Sequence, residues 1–148
     1  TIFGRYYPWD GAQSACPPGW RLVTDADWAA LAQEYGETHE PGSDYEGLAG
    51  DLLEKTLAFN GTKMWEYWKD VDMTNASRLS VMPVGFANVD DAEYDFEFLY
   101  TYAAFWTGDE YSGDLGVVRY VIAGYDSVYW GAMPKGDLAY SVRCVRDL

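Results

Sequence analysis

This chain of 148 residues has a single histidine, His39. A nucleophilic triad needs a histidine set between a nucleophile and a carboxylate. His39 stands in a charged stretch between Glu37 and Glu40 and reads as a solvated loop residue. Cations are scarce, with ten Lys and Arg against twenty-four Asp and Glu, a net charge of −14. Nucleic acid and anionic membrane surfaces require a basic face, so neither partner is expected. The acid excess reads as solubility outside the cell, or as one or more cation sites or a basic partner. No apolar run approaches the roughly 18–20 residues of a membrane span, so no membrane insertion of this segment is expected. No signal-peptide pattern is present, and a chain that starts at Thr1 reads as a mature fragment or an excised domain.

Cysteine is nearly absent too, but its two occurrences almost bracket the chain. Cys16 lies in Ala15-Cys16-Pro17-Pro18-Gly19-Trp20-Arg21-Leu22, and Cys144 lies between Arg143 and Val145. A disulfide is the expected pairing; the alternative is two separate buried thiols. The bridge would close most of the chain into one loop, worth about 4–5 kcal/mol as an upper figure, and would imply an oxidising compartment.

What the chain has in excess is aromatic surface. Seven Trp and thirteen Tyr bring aromatics to 18% of residues, more large amphipathic side chains than one core needs. Tyr and Trp make contacts at low entropic cost and are enriched at interfaces. A chain of this length buries roughly 70% of its extended-state surface and is expected to form one domain over residues 1–148.

Hydrophobic spacing places helices early and strands late. Phe3 to Trp9 reads as an aromatic strand broken at Pro8, Asp10 to Ala15 as a short helix and Trp20 to Val23 as a short strand. Thr24 can cap the clearest helix, with Asp27 reaching back as a capping-box partner. Trp28, Leu31, Ala32 and Tyr35 then form one apolar stripe, and Gly36 supplies the stop. Glu37 to Gly47 reads as a loop, and Leu48 to Leu57 as a helix weakened by Gly50. Phe59 to Ser80 is irregular, with Trp65 and Trp68 expected against the body. Val81 to Phe86 is a strand candidate with a proline inside it. Ala103 to Trp106, Gly116 to Ile122, Ser127 to Ala132 and Leu138 to Val145 are β-rich runs. Turns are expected at Thr107-Gly108-Asp109, Ser112-Gly113-Asp114, Ala123 to Asp126 and Pro134 to Asp137. This order implies an α+β fold, with early helices flanking a mostly antiparallel sheet with long loops.

The Cys16 segment, followed by Thr24-Asp25-Ala26-Asp27-Trp28, resembles the opening of the Fibrobacter succinogenes major paralogous domain. Gly61-Thr62-Lys63, Leu79 to Phe86, Ala104-Phe105-Trp106-Thr107 and Ser141 to Asp147 continue the likeness in order. Such domains often carry Gly-Phe where this chain has Arg78-Leu79. The resemblance implies a C-type-lectin-like fold with the termini close together in one sheet and an irregular loop region that binds. It also implies a place on secreted or surface proteins of Bacteroidota. Retroelement-diversified variable proteins use similar domains as receptor-binding ends, with the exposed residues toward the C-terminus.

The functional candidates follow from these readings. Tyr120, Tyr125, Asp126, Ser127, Tyr129 and Trp130 cluster within eleven residues, and Tyr111 can line the same surface. This mixture resembles antibody-type contact composition. On a strand with one wet face, Tyr129 and Trp130 cannot both be buried. The alternative is that these rings fill a second small core under long loops; Trp106 is assigned to the core. The expected role is a non-catalytic extracellular or cell-surface domain that binds a protein or glycan ligand on another surface. The runner-up is a structural or adhesive tip of a fibre or pilus. A third option, an enzyme like the formylglycine-generating enzymes, resembles the chain at Ser141 to Arg146 but lacks a cysteine to spare. No cofactor is expected. Asp90, Asp91, Glu93 and Asp95 are weak candidates for a structural calcium in an acidic loop, and the triplets by which calcium-dependent lectins hold sugars are missing.

Overall fold

The computed structural model describes residues 4–56, 61–90 and 93–147, the Trp68 side chain excepted. Phe3, Leu57, Asp91 and the side chain of Trp68, which the sequence assigned to a strand, a helix, a cation loop and the core, therefore lie outside the described residues. Among the described residues the fold is sheet-rich, with three short-to-medium helices.

Local chemistry explains the first elements. Strand β1 is only Tyr7–Pro8, and helix α1 begins at Trp9 and ends at Ala12, so the expected aromatic strand is shorter and the helix starts earlier. Strand β2 covers Arg21–Leu22. Helix α2 spans Asp25–Tyr35 with both capping-box hydrogen bonds made: the Thr24 hydroxyl accepts from the Asp27 N–H, and the Asp27 carboxylate accepts from the Thr24 N–H. A cap of this kind contributes about 1 kcal/mol. Trp28 and Ala32 are buried and Leu31 half-buried, whereas Tyr35, expected on the stripe, is exposed. Gly36 ends the helix with extended backbone rather than a left-handed turn. Its role is steric: a Cβ there would lie 3.0 Å from the Ala32 carbonyl oxygen.

The stretch expected to be a loop, Glu37 to Gly47, contains strand β3 at Tyr45–Glu46, and Tyr45 is fully buried. The expected helix over Leu48 to Leu57 shrinks to one turn, α3, at Ala49–Leu52. Gly50 explains the short run. A Cβ at this position would stand 2.3 Å from the Asp72 carbonyl oxygen, so a backbone crossing replaces further helix. A short 3-10 turn covers Trp68–Asp70. Val81 to Gly85 is not a strand, and Phe86 opens the next one. The segment before Phe86 makes isolated bridges, Val81 to Leu53 and Gly85 to Ala103, because Pro83 lacks the N–H that a ladder needs.

The remaining strands are β4 (Phe86–Asp90), β5 (Glu93–Glu97), β6 (Tyr102–Ser112), β7 (Leu115–Ile122), β8 (Ser127–Pro134), β9 (Leu138–Val142) and β10 (Cys144–Val145). The acidic segment is thus a β4–β5 hairpin rather than a loop, with Asp90 opposite Glu93 and Asn88 opposite Asp95. Strand β6 runs through the expected turn at Thr107-Gly108-Asp109; register shifts between Trp106 and Glu110 absorb the irregularity as a bulge. The main sheet has eight strands, ordered β3-β8-β7-β6-β9-β4-β5, with β1 also paired to β9. All its pairs are antiparallel except β6 with β9.

The two ends of the described chain meet. Leu22 pairs with Cys144 and Arg21 with Val145. Cys16 and Cys144 form a disulfide with their Cα atoms 5.7 Å apart, so the alternative of two separate thiols falls. Among the described residues no helix is long and apolar enough to cross a membrane.

The sheet separates two cores because successive strand residues point to opposite faces. Ala103 and Phe105 of β6 and Val121 of β7 pack with Trp28, Leu48, Leu52 and Trp65 on the helix-covered face, the one that α2 and α3 flank. Ala104 and Trp106 of β6, Val118 of β7 and Tyr140 of β9 face the other way, toward Ala12 and Leu22. Trp106 is core, as expected, and its indole donates to the Tyr7 carbonyl at 2.9 Å.

Candidate functional site

The second face of the sheet carries a ladder of rings. Phe86 stacks on Phe98 at 5.7 Å and meets Tyr102 edge-on at 5.5 Å. Tyr102 stacks on Tyr120 at 5.6 Å, and Tyr120 on Tyr129 at 5.3 Å. Tyr140 closes the inner end, 5.6 Å from Phe86 and 4.8 Å from Trp106. Strands β4, β9, β6, β7 and β8 supply all of these rings but Phe98, which follows β5, so strand alternation aligns them.

This ladder floors an open cleft of about 740 Å³. Six rings line it: Phe86, Phe98, Tyr102 and Tyr140 from the ladder, with Tyr67 and Tyr125 at the rim. Ile122, Met133 and Leu138 add apolar wall, and Asn88 and Thr101 supply polar groups other than the phenols. The rim rings are held out in solvent, with Tyr125 59% exposed, Phe98 56% and Tyr67 64%. Tyr67 and Phe98 also take left-handed backbone, at φ 52° and 60°. For bulky residues that conformation is costly and concentrates at functional positions. Gly124, in contact with Tyr67, takes left-handed backbone at φ +84°, which favours glycine.

Burial raises the phenol pKa values of Tyr102 and Tyr140 far above the ordinary value, and those of Tyr120 and Tyr129 less strongly. Desolvation is the first cause in each. The ladder phenols are neutral near pH 7, and burial moves them further from ionisation, so they offer hydroxyls and apolar contact rather than a phenolate. Among the described residues no carboxylate, amine or imidazole lines the cleft.

The sequence-predicted residues do not form one surface. Tyr120 and Tyr129 belong to the ladder and Tyr125 to the cleft rim. Trp130 points to the opposite face of β8, where it meets Tyr111 edge-on at 5.6 Å. Tyr129 and Trp130 are both half-buried, because each face of β8 is partly covered. Asp126 is turned from the cleft toward α3: its carboxylate accepts from the Gly50 N–H at 2.7 Å, and burial raises its pKa. Ser127 opens β8 opposite Glu46 of β3.

Sequence reasoning missed Tyr67, Phe86, Phe98, Tyr102 and Tyr140. A signal existed for part of this. Glu93-Tyr94-Asp95-Phe96-Glu97-Phe98 alternates acid and ring with period two, the pattern of a strand. It also missed the helix-side clamp. Arg119, fully buried on β7, reaches the Asp25 carboxylate at 2.6 Å and the Tyr45 hydroxyl at 2.7 Å, and donates to the Ser43 carbonyl. Burial, opposed by Arg119, pushes the Tyr45 phenol up to about 12.

Of the calcium candidates, Asp90, Glu93 and Asp95 lie along one face of the β4–β5 hairpin, with Asp91 outside the described residues. Among the described residues no group of three or more His, Cys, Asp or Glu is placed to hold a metal. His39 is exposed.

The sequence model of the Fibrobacter succinogenes major domain matches residues 1–146, and the chain belongs to that family. Comparison with curated proteins and with solved structures finds no match in either.

Proposed function

We propose that this member of the Fibrobacter succinogenes major domain family is a non-catalytic recognition module. It binds a protein or glycan ligand of another surface on its aromatic cleft. The cleft carries the reading: about 740 Å³ walled by six rings falls within the range of ligand sites, and two of its exposed rings, Tyr67 and Phe98, stand in left-handed backbone. Among the described residues the lining has no carboxylate, amine or imidazole, which supports contact rather than proton transfer. Both cysteines are engaged with each other, which weighs against the formylglycine-type reading.

We assign the architecture to the C-type-lectin-like class. Support comes from joined terminal segments, helices α2 and α3 flanking one face of the sheet and an irregular stretch before the late strands. The disulfide supports an extracellular or cell-surface setting. The second reading, an adhesive tip, is favoured by one observation: Tyr94 and Phe96 are exposed on β5, the outer strand of the sheet, where assembly contacts can form.

A glycan array and a surface-protein screen, with and without calcium, test the main reading. Phe98→Ala and Tyr125→Ala are expected to remove capture while melting stays within a few degrees of the parent. Capture untouched by both variants overturns the cleft, and capture lost through Tyr94→Ser and Phe96→Ser instead supports the tip.

A further inference from the structure

We propose that the cleft takes a basic side chain, arginine above all, of a protein partner. This rests on the recognition reading above and chooses between its two ligand classes. A glycan presents many hydroxyls that need partners once buried. The cleft lining meets that need poorly, because among the described residues Asn88 and Thr101 are its only polar side chains besides the phenols. Ring faces instead attract a guanidinium or ammonium, most strongly when the cation is desolvated. The stem of such a side chain suits the apolar wall of Ile122, Met133 and Leu138.

Charge beside the cleft agrees. Asn88 lines it and donates through Nδ2 to the Glu97 carboxylate at 3.0 Å, so that carboxylate sits just behind the lining. Directly paired residues of neighbouring strands share a face, and alternate residues keep it. Phe86 opposite Glu97, Asn88 opposite Asp95 and Asp90 opposite Glu93 therefore put four acids on the hairpin face that also contributes two cleft residues. Among the described residues none of the four is in an ion pair, and no Lys or Arg lines the cleft. A surface rich in acid and rings, on a chain of net charge −14, complements a basic partner.

The test titrates the full 148-residue chain with acetyl-Gly-Leu-Arg-Leu-Gly-amide and with the same peptide carrying citrulline, an uncharged isostere, in place of arginine. Heat and ring-current shifts of the peptide methyl groups are recorded. The arginine peptide is expected to bind about tenfold more tightly. Glu97→Gln combined with Asp95→Asn, or 0.5 M salt, is expected to narrow that gap severalfold. Equal affinities, or no binding of either peptide at millimolar concentration, overturn the proposal, as does binding of maltoheptaose without binding of the peptides. If both peptides bind alike and Phe98→Ala removes both, the charge claim fails while the cleft stands. If Phe98→Ala changes no binding at all, the recognition reading fails.

Discussion

The two faces of the main sheet use the same strands and reach different ends. On the helix-covered face, aliphatic side chains of Leu48, Leu52, Val81, Val121 and Val128 fill the space around Trp28 and Trp65. Its polar exception, Arg119, is tied to Asp25, Ser43 and Tyr45. On the other face, large rigid rings meet edge to face and stacked, and they cannot tile a curved space as closely as branched aliphatics. That face is closed at one end, where Cys16 packs beside Leu22 and Val142 and is bonded to Cys144, and open at the other, where the cleft lies. Apolar content alone does not decide whether a face becomes core or site. Side-chain shape and the extent of helix cover do: α2 and α3 cover the aliphatic face, whereas the one-turn α1 covers only part of the aromatic face.

The sharpest way to break the contrast is to cut the clamp of the sealed face. Arg119→Ala leaves Asp25 and Tyr45 without their buried partner and is expected to cost about 3–5 kcal/mol in urea unfolding. Arg119→Met, which fills the space without a charge, is expected to cost less; equal losses would show that the missing charge, and not the volume, sets the cost. Next in size is the closed end of the aromatic face. Cys16→Ser with Cys144→Ser is expected to lower stability by about 2–4 kcal/mol, measured under non-reducing conditions, and to loosen that face first in hydrogen exchange. A packing test comes third. Gly116 of β7 lies against Trp9, and a Cβ there would fall 2.3 Å from the Trp9 Cδ1. Gly116→Ala is expected to cost about 1–3 kcal/mol, with a change in tryptophan near-ultraviolet dichroism.

The smallest expected effect is a pH dependence at the edge between the faces. Hydrogen bonding from Arg21 is the first cause that holds the Asp27 carboxyl down at about 2, against 3.8 ordinarily. The folded state thus binds that proton more weakly than the unfolded state. Its contribution is present above pH 3.8 and is lost as pH falls toward about 2. Asp27→Asn is expected to flatten the stability profile over that window, and an unchanged profile would remove Arg21–Asp27 from the acid response.

Legibility followed the range of the interactions. Helix α2 was readable because its cap, acid partner and Trp28–Ala32 spacing lie within eleven residues. Strands β7 and β8 were readable from unbroken β-rich runs with turn residues between them. The β4–β5 hairpin was misread because Asp90 to Asp95 has a loop's composition, while its pairing with β9 is set by residues some fifty positions away. Strand β3 was hidden for the same reason: Tyr45 pairs with Val128, and local residues give no hint of it. Of the candidate site, Tyr120, Tyr125 and Tyr129 were identified, but Asp126 and Trp130 were grouped with them by proximity in sequence, which ignores which face each one leaves.

By itself the sequence determined what depends on near neighbours and on composition: the capped helix, the sparse acid–base chemistry, the surplus of rings, the family, and the pairing open to its only two cysteines. Tertiary structure alone decided which rings meet. Phe86, Phe98, Tyr102, Tyr120, Tyr129 and Tyr140 come from five strands and one connecting segment, and only the strand order brings them together. The reason is physical: a cleft is made by side chains that share a face across a sheet, and strand order is fixed by long-range pairing that no local window contains.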